Sequence, residues 1–258
     1  MKAHLVQFDM AWEDARANRE KVAFMLANAN VQRGDLVVLP EMFDTGFSFR
    51  VERTNDASGE TLAFLAEMAE RFGVTIQGGR TLVPAAGGLA RNVMSVAAPG
   101  KGTICEYAKI HPFQREGDYF QGDSVVTTYE WEEAQLSICP AICYDLRFPE
   151  LFRLGLLKGA QAFAIGACWP AVRAHHWRAL LIARAIENQA FVFGVNRTGA
   201  DPMTTYSGGT IAIGPKGDVL GELDHAERVL SVDVNAADVT QWREAFRAWR
   251  DIKLIQPA

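Results

Sequence analysis

Glu41, Lys109 and Cys143 supply the three groups that thiol chemistry on an amide or nitrile carbon needs: a carboxylate, an ammonium and a sulfur nucleophile. The sulfur attacks the carbon. The carboxylate takes the thiol proton and passes it to the leaving amine. The ammonium stabilises the oxyanion, helped by the backbone N–H next to the nucleophile, that of Tyr144. Such a set works without a metal or an organic cofactor, and neither is expected.

Each residue needs an element to hold it. From Gln135 to Ile142 the chain is apolar and reads as a strand, while Phe148 and Pro149 open a helix. Cys143 is therefore expected where a buried strand meets a helix N-terminus, an environment predicted to lower a thiol's pKa. Cys143 in an apolar strand also reads as just a small buried hydrophobe. Glu41 ends residues 35–41, a short continuous apolar strand of the kind buried on both faces. Its carboxylate belongs at a rim or in the interior, where it could also serve as partner to a buried cation. Lys109 lies among Tyr107, Ile110, His111, Pro112 and Phe113. The bland alternative is a lysine that snorkels its ammonium to water.

The rest of the chain alternates. Residues 3–9, 74–83, 89–98, 160–167 and 191–197 read as strands. Residues 13–30, 59–72, 148–158, 174–188 and 235–249 carry helical patterns. Ser58 is the expected N-cap of the second helix. Trp177, Leu180, Leu181, Ala185 and Ile186 form the expected packing stripe of the fourth. Gly78-Gly79 predicts a bulge or a close backbone approach, and Pro140 a bulge or an edge. Residues 207–213, 219–222 and 228–234 read as a meander, with a turn over 215–218. The tail, 252–258, is apolar enough to dock on a neighbour. Residues 42–55, rich in Phe and Thr, make a plausible pocket wall. No linker or repeat divides the chain, so residues 1–258 are expected to form one layered α/β domain with mixed sheets.

Composition narrows the function classes. Apolar residues make up 49% and charged residues 22%, ordinary for a globular protein. A net charge of −5 with no basic run argues against nucleic acid and anionic membranes as partners. The first nine residues lack the pattern of a signal peptide, and no apolar run suits a bilayer span. Four cysteines without a CxxC pair fit reduced thiols in the cytoplasm. His175-His176 are adjacent and make a poor metal pair on a helix. No P-loop or dinucleotide fingerprint is present. A Cys–His pair using His111 is conceivable, but His111 sits beside Lys109, which points to other chemistry.

With these residues in view, the chain resembles the nitrilase superfamily of carbon–nitrogen hydrolases. Leu39-Pro40-Glu41-Met42-Phe43 is similar to its glutamate segment, and Tyr107-Ala108-Lys109-Ile110-His111 to its lysine segment. Residues 142–150, Ile-Cys-Tyr-Asp-Leu-Arg-Phe-Pro-Glu, are similar to its cysteine segment. The resemblance covers nearly the whole chain. It implies Glu41 as general base, Lys109 as oxyanion stabiliser and Cys143 as nucleophile. It also implies a four-layer αββα sandwich with two mixed β-sheets, assembled as a homodimer or larger homo-oligomer. Glu116 is the residue it suggests for a second acid.

Within the superfamily the chain looks most like the ω-amidase branch, on Thr45-Gly46-Phe47-Ser48, on Trp169-Pro170-Ala171-Val172-Arg173, and on residues 183–189 and 195–199. That branch hydrolyses the terminal amide of 2-oxoglutaramate or 2-oxosuccinamate. An anionic substrate needs a guanidinium or a set of donors. Arg173, with Trp169 and Phe47, is the expected substrate contact, while a surface arginine at a helix start is the other reading. Asp145 and Arg147 are expected to form an ion pair that anchors the turn. Alternatives are an amidase, carbamoylase or nitrilase with another substrate, or a catalytically silent binding protein on the same fold.

Overall fold

The computed structural model describes residues 1–254. The first half contains β1 (Lys2–Gln7), α1 (Ala15–Asn28), β2 (Leu36–Val38), α2 (Val51–Thr54), α3 (Glu60–Phe72), β3 (Thr75–Leu82), β4 (Arg91–Ala98) and β5 (Gly102–Ala108). The second contains β6 (Tyr129–Trp131), β7 (Leu136–Ile142), α4 (Pro149–Leu157), β8 (Ala162–Ala167), α5 (Ala174–Asn188), β9 (Phe191–Asn196), the small hairpin β10 (Thr198–Ala200) and β11 (Thr205–Ser207), then β12 (Ile211–Ile213) and β13 (Val219–Glu222). Last come β14 (Arg228–Asp233) and α6 (Ala236–Ala245).

Two six-stranded sheets result, with orders β14-β1-β2-β3-β4-β5 and β13-β12-β9-β8-β7-β6. Both are mixed: β1, β2 and β3 run parallel in the first, and β7, β8 and β9 in the second, with antiparallel neighbours outside. Side chains alternate across a strand, and that alternation builds the layers. Leu36 and Val38 face the second sheet, in a core shared with Ile138, Ala162, Phe191 and Phe193. Val37 points outward, to Val22, Leu26, Leu65 and Met68 of α1 and α3. In the second sheet Ala162 and Ala164 face inward, while Phe163 and Ile165 meet Leu151 and Phe152 of α4 and Trp177 and Leu181 of α5. The architecture is the expected αββα sandwich. No helix among the described residues is long and apolar enough to cross a membrane.

Several local expectations need correction. The helix cap is not Ser58. Gly59 stands at the N-cap with φ +73, and Asp56 accepts from the N–H groups of Thr61 and Leu62, because its carboxylate sits below the first turn. The first helix begins at Ala15 because Asp14 caps it, accepting from Ala17 N at 3.0 Å. The last helix ends at Ala245, four residues early, and a 3-10 turn, Ala248–Asp251, follows it. On α5 the buried stripe is Trp177, Leu181, Arg184, Ala185 and Asn188, whereas Ile186 is exposed. The closing meander is broken: β12 and β13 pair in the second sheet, but β14 leaves it and pairs antiparallel with β1 in the first. Of the tail, residues 255–258 lie outside the described residues.

The glycine pair produces close approach and no bulge, for β3 and β4 keep register from Ile76 to Leu82. A Cβ on Gly79 would stand 2.5 Å from Met42 N and 2.9 Å from Glu41 Cα. A Cβ on Gly166 of β8 would stand 2.8 Å from Leu39 O and 3.0 Å from Glu41 N. The segment carrying Glu41 thus threads between one glycine of each sheet. Pro140 causes no register shift against β8; β6 begins only at Tyr129, opposite Ile138, so the proline lies where β7 is an edge.

Candidate active site

Glu41, Lys109 and Cys143 each follow the C-terminal end of a strand, β2, β5 and β7 respectively. Residues just past the carboxyl ends of strands are where α/β sheets form their crevices. Here one cavity of about 120 Å³ is lined by all three, together with Phe47, Phe113, Tyr144, Arg147, Cys168, Trp169, Arg173, Thr204 and Tyr206. It is well below the roughly 300–1,000 Å³ typical of drug-sized ligands, so its occupant is small.

The Lys109 ammonium is buried and does not snorkel. It donates to Glu41 Oε1 at 2.8 Å and to Glu116 Oε2 at 2.8 Å. Burial opposes its charge, but Glu116 and Glu41 hold its pKa well above the usual lysine value. Asn92 of β4 bridges the carboxylates, donating to Glu41 Oε1 at 2.7 Å and to Glu116 Oε1 at 3.0 Å. Glu116 Oε2 also accepts from Phe113 N at 2.6 Å. The second oxygen of Glu41 accepts from Cys168 N at 2.9 Å. Every oxygen of the two buried carboxylates therefore has a donor, and the ammonium is their shared partner.

Cys143 is almost fully buried and adopts φ +45, a conformation strained for a residue with a side chain. Met42, directly after Glu41, is also left-handed at φ +43. The expected lowering of the thiol pKa is overturned. A 3-10 turn, Cys143–Arg147, separates the sulfur from α4, which begins only at Pro149. Burial, then the Glu41 charge, push the Cys143 pKa well above the normal thiol value, more than Lys109 offsets. The resting group is a neutral thiol, suited to attack as a nearby base removes its proton.

The turn is anchored, but not by the expected ion pair. Asp145 points inward and accepts from Tyr107 Oη at 2.7 Å, Ile142 N at 3.1 Å, His111 N at 3.0 Å and His111 Nδ1 at 2.8 Å. Arg147 points to the cavity instead, its Cζ 4.8 Å from the centre of the Trp169 ring. His111 stacks on Phe148 and does not line the cavity. Arg173 lies over Phe113, with Cζ 5.3 Å from the ring centre, and Lys109 Nζ is 5.4 Å from the centre of Phe47. Asn196 holds Trp169, accepting from its backbone N at 2.7 Å and donating to its carbonyl at 3.1 Å. The Trp169 indole in turn donates to Arg173 O at 2.9 Å.

A carbon–nitrogen hydrolase family model matches residues 2–244. The chain belongs to that family. A hydrolase in the agr operon of Staphylococcus aureus is 35% identical to this carbon–nitrogen hydrolase over 259 residues, spanning 98% of each chain. A 2-oxoglutaramate amidase of Bacillus subtilis is 33% identical over 252 residues, spanning 96% of each. The crystal structure of a CN-hydrolase superfamily protein from Xanthomonas campestris, which carries an arsenic adduct in its active site, is 30% identical. It superposes with a TM-score of 0.91, covering 100% of this chain and 99% of that one.

The residues expected to do the chemistry or touch substrate meet at this site: Glu41, Lys109, Cys143, Tyr144, Phe47, Trp169 and Arg173 line the cavity, and Glu116 closes on Lys109 from behind. Asn92, Cys168 and the cavity role of Arg147 were missed. A lone asparagine inside the apolar run 89–98 is a signal that could have found Asn92. Cys168 was visible only as the end of a strand.

Proposed function

We propose that this hydrolase is an ω-amidase, acting on a small 2-oxo acid amide through a Cys143 thioester. Cys143 attacks the amide carbon while Glu41 takes its proton. The carbonyl electrons move to oxygen, where Lys109 Nζ and the Tyr144 N–H stabilise them. Collapse expels ammonia, with the proton returned from Glu41, and leaves the thioester. Glu41 then deprotonates a water that attacks the thioester carbon, releasing the carboxylate and restoring the thiol. Glu116 fixes the ammonium from the opposite side. Residues 1–258 act as one domain in this reading, supported by the pairing of β1 with β14, which brings strands far apart in sequence into one sheet.

The observation that carries the substrate class is a pair of arginines. Arg147 and Arg173 both line the cavity beside Cys143, and neither has a carboxylate within 4.0 Å among the described residues. Arg147 Nη2 meets His176 Nδ1 at 3.3 Å, so what both guanidiniums lack is a carboxylate, and that suits a substrate with its own. The amidase of Bacillus subtilis supports the same choice. The test compares kcat/KM for 2-oxoglutaramate, glutamine, simple nitriles and N-carbamoyl amino acids. The oxo acid amide is expected to lead, and Arg173→Ala should cost it more than it costs a neutral amide. A nitrile or a neutral amide as best substrate would overturn the assignment.

A further inference from the structure

We infer that Asp145 is a positioning residue that holds the Lys109 ammonium and the Cys143 sulfur in register through four hydrogen bonds. The inference rests on the proposed roles of Lys109 and Cys143. Its geometry is that of a clamp. Oδ2 accepts from Tyr107 Oη at 2.7 Å and Ile142 N at 3.1 Å, and Oδ1 accepts from His111 N at 3.0 Å and His111 Nδ1 at 2.8 Å. Tyr107 and His111 stand two residues before and two residues after Lys109. Ile142 directly precedes Cys143. One carboxylate therefore grips both flanks of the lysine and the backbone that enters the nucleophile's strained turn.

The clamp joins the two sheets. Tyr107 belongs to β5 and Ile142 to β7, so the Lys109 and Cys143 segments come from opposite halves of the sandwich. Without a tie, each would follow its own sheet. The Asp145 side chain is fully buried, and its four donors use its acceptor capacity. Burial, then Asp145, keep the Tyr107 hydroxyl protonated by raising its pKa well above the usual tyrosine value, so it remains a donor. The groups whose charges act most on the Cys143 sulfur are Glu41, Lys109, Cys168 and Glu116, and Arg147 and Arg173 line the same cavity. Lys109 is the cation that most favours the thiolate. Drawing the ammonium away must therefore make the thiolate harder to form.

Asp145→Asn keeps the shape but turns an NH2 group toward two of the four donors. Tyr107→Phe removes one bond and leaves the others. The experiment measures kcat, KM, the melting transition and the pH dependence of Cys143 alkylation by iodoacetamide in both variants and in the double variant. Cys143→Ala serves as the control for the chemistry itself. A misplacement approaching 1 Å costs on the order of 100-fold in rate, so Asp145→Asn should lower kcat by about 10- to 100-fold. Tyr107→Phe should lower it less. Alkylation should move to higher pH in both, and the double variant should lose little beyond Asp145→Asn, because the bonds act through one carboxylate. Asp145→Asn folded with kcat and alkylation profile unchanged would overturn the inference. If Asp145→Asn does not fold, Tyr107→Phe decides: a lower melting temperature with parental kcat and alkylation profile makes Asp145 purely structural. An active Cys143→Ala would instead overturn the thioester reading.

Discussion

Gly79→Ala should disable the enzyme without touching any side chain that does chemistry. Neither Gly78 nor Gly79 has a positive φ, so alanine fits the backbone at both and space alone decides. At position 79 the added Cβ would stand 2.5 Å from Met42 N, 2.9 Å from Glu41 Cα and 3.0 Å from Glu41 C. Restoring ordinary contact needs a shift of about 1 Å in the segment holding the base, which is worth roughly 100-fold in rate. Room on the far side is limited, because Gly166 of the other sheet stands close enough that a Cβ there would lie 3.0 Å from Glu41 N. Gly78→Ala is the control. The atoms nearest its Cβ would be side-chain carbons of Phe43 and Leu65, at 2.8 and 3.0 Å, with no backbone among them. Overpacking of about 1–3 kcal/mol is expected from either substitution. Steady-state ammonia release and denaturant unfolding, run on both variants, separate the two costs. Gly79→Ala should lose about 100-fold in kcat/KM while Gly78→Ala keeps most of its activity at similar stability. Equal activities in the two variants would refute the idea that Gly79 sets the position of Glu41.

Cys143→Ala should abolish hydrolysis and keep the fold, and peptide mapping after treatment with a small chloroacetamide should find the label on Cys143 ahead of Cys105, Cys139 and Cys168. Glu41→Gln and Lys109→Met should each lose at least about 100- to 1000-fold in kcat, the scale of an oxyanion donor. Residual rates above about a tenth of the parent would remove that residue from the chemistry. Asp44, buried behind the Glu41 loop, has its pKa pushed up by burial to about 6 from 3.8. The folded state therefore binds more protons than the unfolded chain across that window, and this group's contribution to stability falls as pH rises through it. Relative to the parent, Asp44→Asn should gain on the order of 2 kcal/mol between pH 4 and pH 7, read by denaturant unfolding at both. A difference independent of pH would show that Asp44 does not titrate there.

Residues 39–43, 107–111 and 142–150 were legible because each ends a strand whose apolar pattern is strong, and strand ends are where these side chains converge. Helix α5 was equally clear, running from Ala174 to Asn188 as the periodicity required. What local pattern lacks is partner choice. Nothing in residues 228–234 says which sheet they join, and the close spacing of the late strands suggested a meander that the chain does not form. The Asp145–Arg147 pair failed for a related reason. Opposite charges two residues apart suggest a bond, yet the turn sends Asp145 inward and Arg147 to the cavity. The thiol pKa was misjudged by weighing a helix terminus over burial, when desolvation was the larger effect.

Pairing β14 with β1 also sets a schedule for synthesis. Six residue pairs, from Lys2↔Asp233 to Gln7↔Arg228, close the outer edge of a strand made long before its partner. Synthesis runs from the N-terminal side, so β1 must wait for all the strands from β2 to β13 before that edge is covered. Meanwhile it presents a row of free N–H and C=O groups on a strand whose Ala3, Leu5 and Val6 are fully buried in the finished protein. Nascent chains stalled or truncated before residue 228 would carry that open edge and be prone to stack on one another.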